Sequence, residues 1–203
     1  ASSARPSLRA HTRRSPKELA AALLGCTALL TAGDLLHVRF GIIGYPDGVL
    51  FGQAWWVAPG FALATLAFVA AAWPLAPFVD KPKRGDVLRG AAWFFGAYAG
   101  TALVGHRIVG LTSLLFGLWL YRIGKRQDRR PVLWLSILFG IGGTLGEILL
   151  HATGVGYYTE RQIVNVPIWL PLLYMHGAPL ALDLTRWVQG DREPFVRSPE
   201  DDA

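Results

Sequence analysis

Six apolar stretches, near residues 18–38, 50–73, 88–105, 108–123, 131–152 and 165–186, alternate with short basic or turn-rich segments. Each reads as a helix crossing a membrane. Several reach the ~20 apolar residues that a hydrocarbon core of about 30 Å requires, and the third and fourth sit at the short end of that range. In lipid every backbone N–H and C=O must be bonded within its own segment, which favours helices, and no segment reads as a convincing strand. The expected fold is all-α: an integral membrane bundle of six transmembrane helices over 17–188. A disordered basic segment (1–16) precedes it and a polar tail (189–203) follows.

The charges give the bundle a direction. Seventeen of the 20 Lys and Arg residues fall in four clusters: before the first helix, between the second and third, between the fourth and fifth, and after the sixth. Only Arg39, Arg107 and Arg161 lie on the other side. By the positive-inside rule both termini are expected in the cytoplasm. A net charge of +6 would also suit a nucleic-acid partner, but such a surface gathers charge on one face and does not alternate along the chain. Composition agrees with the membrane reading, with 52% apolar and only 17% charged residues, against about 25% charged in soluble domains. Arg13-Arg14 ahead of Leu23-Leu24-Gly25-Cys26 looks like a secretion signal joined to a lipoprotein cleavage site, but the apolar run continues through Leu36, as a first membrane helix should.

Ionisable residues inside the spans carry the candidate chemistry: Asp34, His37, His106, Glu147, His151, His176 and Asp183. Charges at membrane depth are costly and face the bundle interior or a cavity. Ser136, Gly140, Thr144, Glu147 and His151 follow a helical spacing that puts them on one face of the fifth helix. Glu147 lies deepest and should be either protonated or paired with a histidine. A carboxylate and a His three or four residues apart can share a metal, so an intramembrane metal- or haem-dependent enzyme using Glu147/His151 and Asp34/His37 is the rival reading. No HExxH or HxxxH motif and no phosphate-binding loop supports it.

Small residues and prolines suggest where helices meet. Gly96/Gly100 and Gly142/Gly146 form GxxxG pairs that would let backbones approach closely or would line a channel. Pro167, Pro171 and Pro179 should loosen the sixth helix, with neighbours satisfying the freed carbonyls. Trp56 lies one turn from Gln53 and Gly60 and reads as a pocket wall.

Tyr45-Pro46-Asp47-Gly48-Val49, then Gln53-Ala54-Trp55-Trp56-Val57-Ala58-Pro59, resembles the opening of the second helix in the Insig (insulin-induced gene) family. Gly117-Leu118-Trp119, Gly154-Val155 with Tyr158-Thr159, and Trp169-Leu170-Pro171 are similar to later segments of that family in the same order, over about residues 34–187. The resemblance implies a six-span sensor in the endoplasmic reticulum that binds oxysterols, retains the partner Scap and recruits HMG-CoA reductase. It departs at Ala58-Pro59, where the family has Pro-Pro, and at Asp128-Arg129, whose spacing differs from the family's partner-binding Asp-Arg step. The Ala-, Gly- and Arg-rich composition points to a bacterial cell membrane and to a neutral lipid other than a sterol.

The expectation is therefore a non-catalytic, Insig-like protein that needs no cofactor and holds one lipid, diacylglycerol first and a sterol second, in a cavity among helices two to five. Candidate contacts are Gln53, Trp56, Gly60, Phe94, Tyr98, Thr112, Phe116, Thr144, Glu147 and His151. Besides lipid, the expected partners are a membrane protein or further copies of the chain.

Overall fold

The computed structural model describes residues 15–190; the basic segment and the polar tail expected from sequence lie almost wholly outside them. Six helices follow in order: α1 (Pro16–Arg39), α2 (Val57–Ala72), α3 (Arg84–Val104), α4 (Ile108–Gly124), α5 (Arg129–Ala152) and α6 (Leu170–Gln189). Two short strands, β1 (Ile43–Gly44) and β2 (Tyr157–Tyr158), pair antiparallel across one end of the bundle. The bundle is all-α as expected; the two-residue strands lie in its loops, where each bonds to the other.

The boundaries of α2 and α6 also differ from the apolar runs. Residues 50–56 and 163–169 are turns, each closed by reciprocal backbone bonds: Leu50 with Gln53 (3.1 and 3.0 Å) and Ile163 with Val166 (3.0 and 3.0 Å). Hydropathy cannot separate such a turn from the helix it leads into. Elsewhere the caps are legible. Ser15 accepts the Glu18 amide and the Glu18 carboxylate accepts the Ser15 amide, with Pro16 opening α1.

α1, α3 and α5 are long and apolar enough to cross a membrane, and α2 and α4 are shorter apolar helices of 16 and 17 residues. Leu24, Leu63, Leu103, Val109, Leu138, Ile141 and Leu149 are all exposed around the bundle. That much outward apolar surface is what lipid demands and what a soluble monomer avoids. α6 is the hub, packed against α2, α3, α4 and α5. Pro179 lies inside it and cannot bond the Met175 carbonyl. Ser136 of α5 donates to that carbonyl (3.4 Å), and Trp119 Nε1 of α4 donates to Ser136 Oγ (3.2 Å). The expected rescue by neighbours is thus built from α4 and α5 together.

The GxxxG pairs do not bring helices together. A methyl group at Gly96, Gly100, Gly142 or Gly146 would meet nothing within 4 Å. The close approach falls instead at Gly140 and Gly143, where Met175 and Tyr174 of α6 occupy the space.

The chain repeats itself. α1 and α5 each have 24 residues, and they begin 113 residues apart, as do α2 and α6. At the same offset, Gly41 and Gly154 take left-handed φ angles of 67° and 80°, and Phe51 and Val164 take 54° and 57°. A bulky residue in that region is uncommon once, and here it recurs at equivalent turns. Gly44 and Tyr157, equivalent in the two halves, pair with each other in the β ladder, as a two-fold relation between the halves requires. α3 and α4 form the hairpin inserted between the repeats.

Candidate cavity between the repeats

At the β1–β2 end, α1, α2, α3, α5 and α6 enclose a cavity of about 190 Å³. α2 contributes Val57, Gly60, Phe61, Ala64 and Phe68, and Trp56 caps its start. α3 contributes Phe94 and Tyr98. An apolar crevice of about 60 Å³ shares Leu30, Phe68, Phe94 and Tyr174 with it and runs on to Phe95, Phe139 and Leu184. The main volume is below the ~300 Å³ of a usual ligand pocket. It has room for a small polar head and the start of a chain, with the crevice as the continuation.

Each repeat supplies one carboxylate held by a tyrosine eleven positions further on. Tyr45 donates to Asp34 Oδ1 (2.8 Å), and Gln53 Nε2 donates to Asp34 Oδ2 (2.7 Å) and to the Thr31 carbonyl (3.0 Å). Tyr158 donates to Glu147 Oε2 (3.4 Å), His151 Nε2 lies 3.0 Å from the same oxygen, and Tyr174 donates to Glu147 Oε1 (2.7 Å). Both oxygens of each carboxyl group are thus engaged by neighbouring side chains. Burial pushes the Tyr45 phenol far above its usual range, and the neighbouring Asp34 adds to the shift. Burial does the same for Tyr158, reinforced by Glu147. Both phenols therefore remain donors. Each tyrosine also meets a tryptophan edge-on: Tyr45 with Trp56 (5.5 Å, 83°) and Tyr158 with Trp169 (6.4 Å, 85°).

The sequence candidates divide clearly. Trp56, Gly60, Phe94, Tyr98, Glu147 and His151 lie on the cavity wall. Gln53 stands behind it and fixes Asp34. Thr144 is buried on the same face of α5 as Glu147 but off the wall, and its hydroxyl has no partner among the described residues. Thr112 and Phe116 lie away from the cavity. α4 buries Leu111, Leu115 and Trp119, and residues one position further on turn about 100° away. Thr112 accordingly bonds back to Ile108 (2.7 Å) and Phe116 is exposed. The expected set of helices two to five is replaced by one that includes α1 and α6 and omits α4.

Sequence reasoning did not place Tyr45, Tyr158, Tyr174 or Trp169 in the lipid site, although three of them carry the family resemblance, and it assigned Asp34 only to the rival metal or haem reading. A signal was present. Thr31-Ala32-Gly33-Asp34 and Thr144-Leu145-Gly146-Glu147 occupy equivalent positions, as do Gly41/Gly154, Tyr45/Tyr158 and Trp56/Trp169. Searching for an internal period first would have found them.

The groups suggested for metal chemistry are otherwise engaged. His37 uses one ring nitrogen on the Gly33 carbonyl (2.8 Å) and the other on the Thr101 hydroxyl (2.9 Å). Among the described residues no group of three His, Cys, Asp or Glu side chains converges on a metal position.

No family model matches this sequence, and no curated protein matches it. Solved structures do. The mycobacterial Insig homologue MvINS from Mycobacterium vanbaalenii aligns with a TM-score of 0.75 at 23% identity, covering 91% of this chain and all of its own. A cross-linked MvINS trimer aligns with a TM-score of 0.77 at 24% identity over the same shares. The chain has the Insig fold. The resemblance seen in short sequence motifs thus extends to the course of the backbone through all six helices. In this Insig fold the Trp56 and Trp169 motifs mark equivalent helix starts, one in each repeat.

Proposed function

We propose that this protein is an Insig-like, non-catalytic membrane protein that binds a neutral lipid by its free hydroxyl group, with both termini in the cytoplasm. The observation that carries the reading is the cavity's polarity. Its fixed groups are two carboxylates whose neighbouring phenols already donate to them. Both carboxylates keep capacity to accept a further hydrogen bond. The Tyr98 hydroxyl and the Trp56 indole N–H on the same wall can serve an ester carbonyl of the lipid, but only a hydroxyl can serve the carboxylates. Diacylglycerol, a small head on two chains, fits the volume better than the rigid rings of a sterol.

The test uses diacylglycerol and its O-methyl ether on purified protein. A hydrogen bond to a charged group contributes about 1.5–3 kcal/mol, so capping the hydroxyl should weaken binding about ten- to hundredfold. Equal binding of the two would remove the proposal. Trp56→Ala should reduce the lipid carried through purification, read by mass spectrometry, while the helical spectrum stays unchanged. Phe116→Ala should leave lipid content as it is.

The same reading places residue 125 in the cytoplasm and the α5–α6 loop outside. Tyr158 is buried, so Gln162, which is exposed, is the better reporter. With Cys26 replaced, Lys125→Cys should react with an impermeant reagent only from the cytoplasmic side and Gln162→Cys only from the other. Reaction of both from one side would defeat the six-span topology. Self-association is part of the proposal because MvINS forms a cross-linked trimer. A protein partner reached through Asp128-Arg129 is not, because Asp128 is bound by Arg126 and Arg129 bonds the Arg126 and Gly124 carbonyls.

A further inference from the structure

We infer that the cavity is a two-pronged diol site, and that its preferred ligand carries two free hydroxyls on one short head, as a monoacylglycerol does. The inference rests on the lipid reading above and deepens it. Its basis is the internal repeat. Asp34 and Glu147 are equivalent residues of the two halves, each held by an equivalent tyrosine, and both line the same enclosed space. The repeat therefore presents the ligand with two equivalent acceptor groups on the wall of one cavity.

The lone pairs make the case specific. A carboxylate offers about four acceptor positions. Asp34 uses two, for Tyr45 and Gln53, and Glu147 uses three, for Tyr174, His151 and Tyr158. Capacity remains on both. A lipid with a single hydroxyl can satisfy one carboxyl group and leaves the other facing apolar chain, which is unfavourable for a buried polar group. Two vicinal hydroxyls satisfy both. Volume points the same way: a cavity of about 190 Å³ accepts a glycerol head readily, and the adjoining apolar crevice, at about 60 Å³, suits one chain better than two.

The halves are not identical, and the difference supplies polarity. Asp34 is backed by the neutral amide of Gln53, whereas Glu147 is backed by His151 and a second phenol. The acyl chain leaves beside Tyr174, which lines both the cavity and the crevice.

The experiment measures binding of 1-monooleoylglycerol and 1,2-dioleoylglycerol to the full chain in detergent, for the native protein and for Asp34→Asn and Glu147→Gln. The diol should bind about tenfold more tightly than the diacylglycerol, as expected for one added charge-assisted hydrogen bond. Each variant should lower its affinity about tenfold, while only one of the two variants should lower that of the diacylglycerol. Tyr45→Phe and Tyr158→Phe, which keep the ring packing and free one acceptor position on each carboxylate, should both tighten diol binding and give the complementary reading should a carboxylate variant fail to assemble. Equal affinity for the two lipids, or a diol sensitive to only one half, overturns the diol site and leaves the single-hydroxyl reading standing. Binding of neither lipid overturns both.

Discussion

Glu147→Leu should cost this protein both its lipid and a substantial part of its stability. Three donors converge on that carboxylate: Tyr174 at 2.7 Å, His151 at 3.0 Å and Tyr158 at 3.4 Å. Leucine leaves all three facing an apolar wall. A buried polar group without a partner costs about 1–3 kcal/mol in water-soluble proteins. Within membranes the measured cost is lower, about 0.6–1.7 kcal/mol, because the unfolded chain also finds partners in the bilayer. The lower range applies at the depth of α5, so the sum over three donors is about 2–5 kcal/mol. At about 2–4 °C per kcal/mol for a chain of this size, the thermal midpoint should fall by roughly 4–20 °C. Glu147→Gln keeps an oxygen for one phenol and should lose less than half as much stability. The two variants therefore separate packing from recognition. Both should change the lipid that is retained, but only leucine should strongly lower the midpoint. A leucine variant with native lipid content and native midpoint would show that the network around Glu147 does neither task.

The repeat also explains what was legible in the sequence and what was not. Hydropathy and the Lys/Arg alternation are sums over many residues, so six spans and their direction could be read without knowing any contact. The face of α5 could be read too, since Ser136, Gly140, Thr144, Glu147 and His151 share one helical stripe. The cavity could not. It is lined by α1 and α2 of one repeat, α5 and α6 of the other and α3 from the insert, and Tyr45 and Tyr158 stand beside the Gly44–Tyr157 ladder pair that joins the two loops. No periodicity within a single helix reports that arrangement. Thr112 and Phe116 show the converse case. They are plausible pocket residues by type, yet α4 turns Leu111, Leu115 and Trp119 inward, and a rotation of one residue sends the other two outside. The GxxxG pairs failed for a related reason: small residues permit close approach but do not cause it, and in α5 it is Gly140 and Gly143 that receive α6.

Arg126→Met should be the most destabilising single change outside the cavity. Arg126 holds two carboxylates at once, Asp128 through Nε and Nη2 (2.7 Å each) and Asp183 through Nη1 and Nη2 (3.0 and 2.8 Å). This ties the α4–α5 loop to the hub helix. The three side chains are only 22%, 10% and 9% exposed, so salt cannot screen them as it would a surface pair. Burial alone would disfavour the guanidinium's charge, but the hydrogen bonds and charges of Asp128 and Asp183 outweigh it and hold its pKa above the ordinary value. The cation is therefore present at any working pH. Removing it strands two acidic groups, and breaking a buried pair in this way costs about 3–5 kcal/mol. Arg126→Lys should recover little, because an ammonium cannot form the two-sided fork. The informative partner is the double change Arg126→Met/Asp183→Leu. It removes one stranded charge along with the cation and should regain part of the loss, about 1–2 kcal/mol in a thermal or denaturant midpoint. If the double variant is no more stable than Arg126→Met alone, the stranded Asp183 is not the source of the cost, and Arg126 acts through Asp128 and the loop.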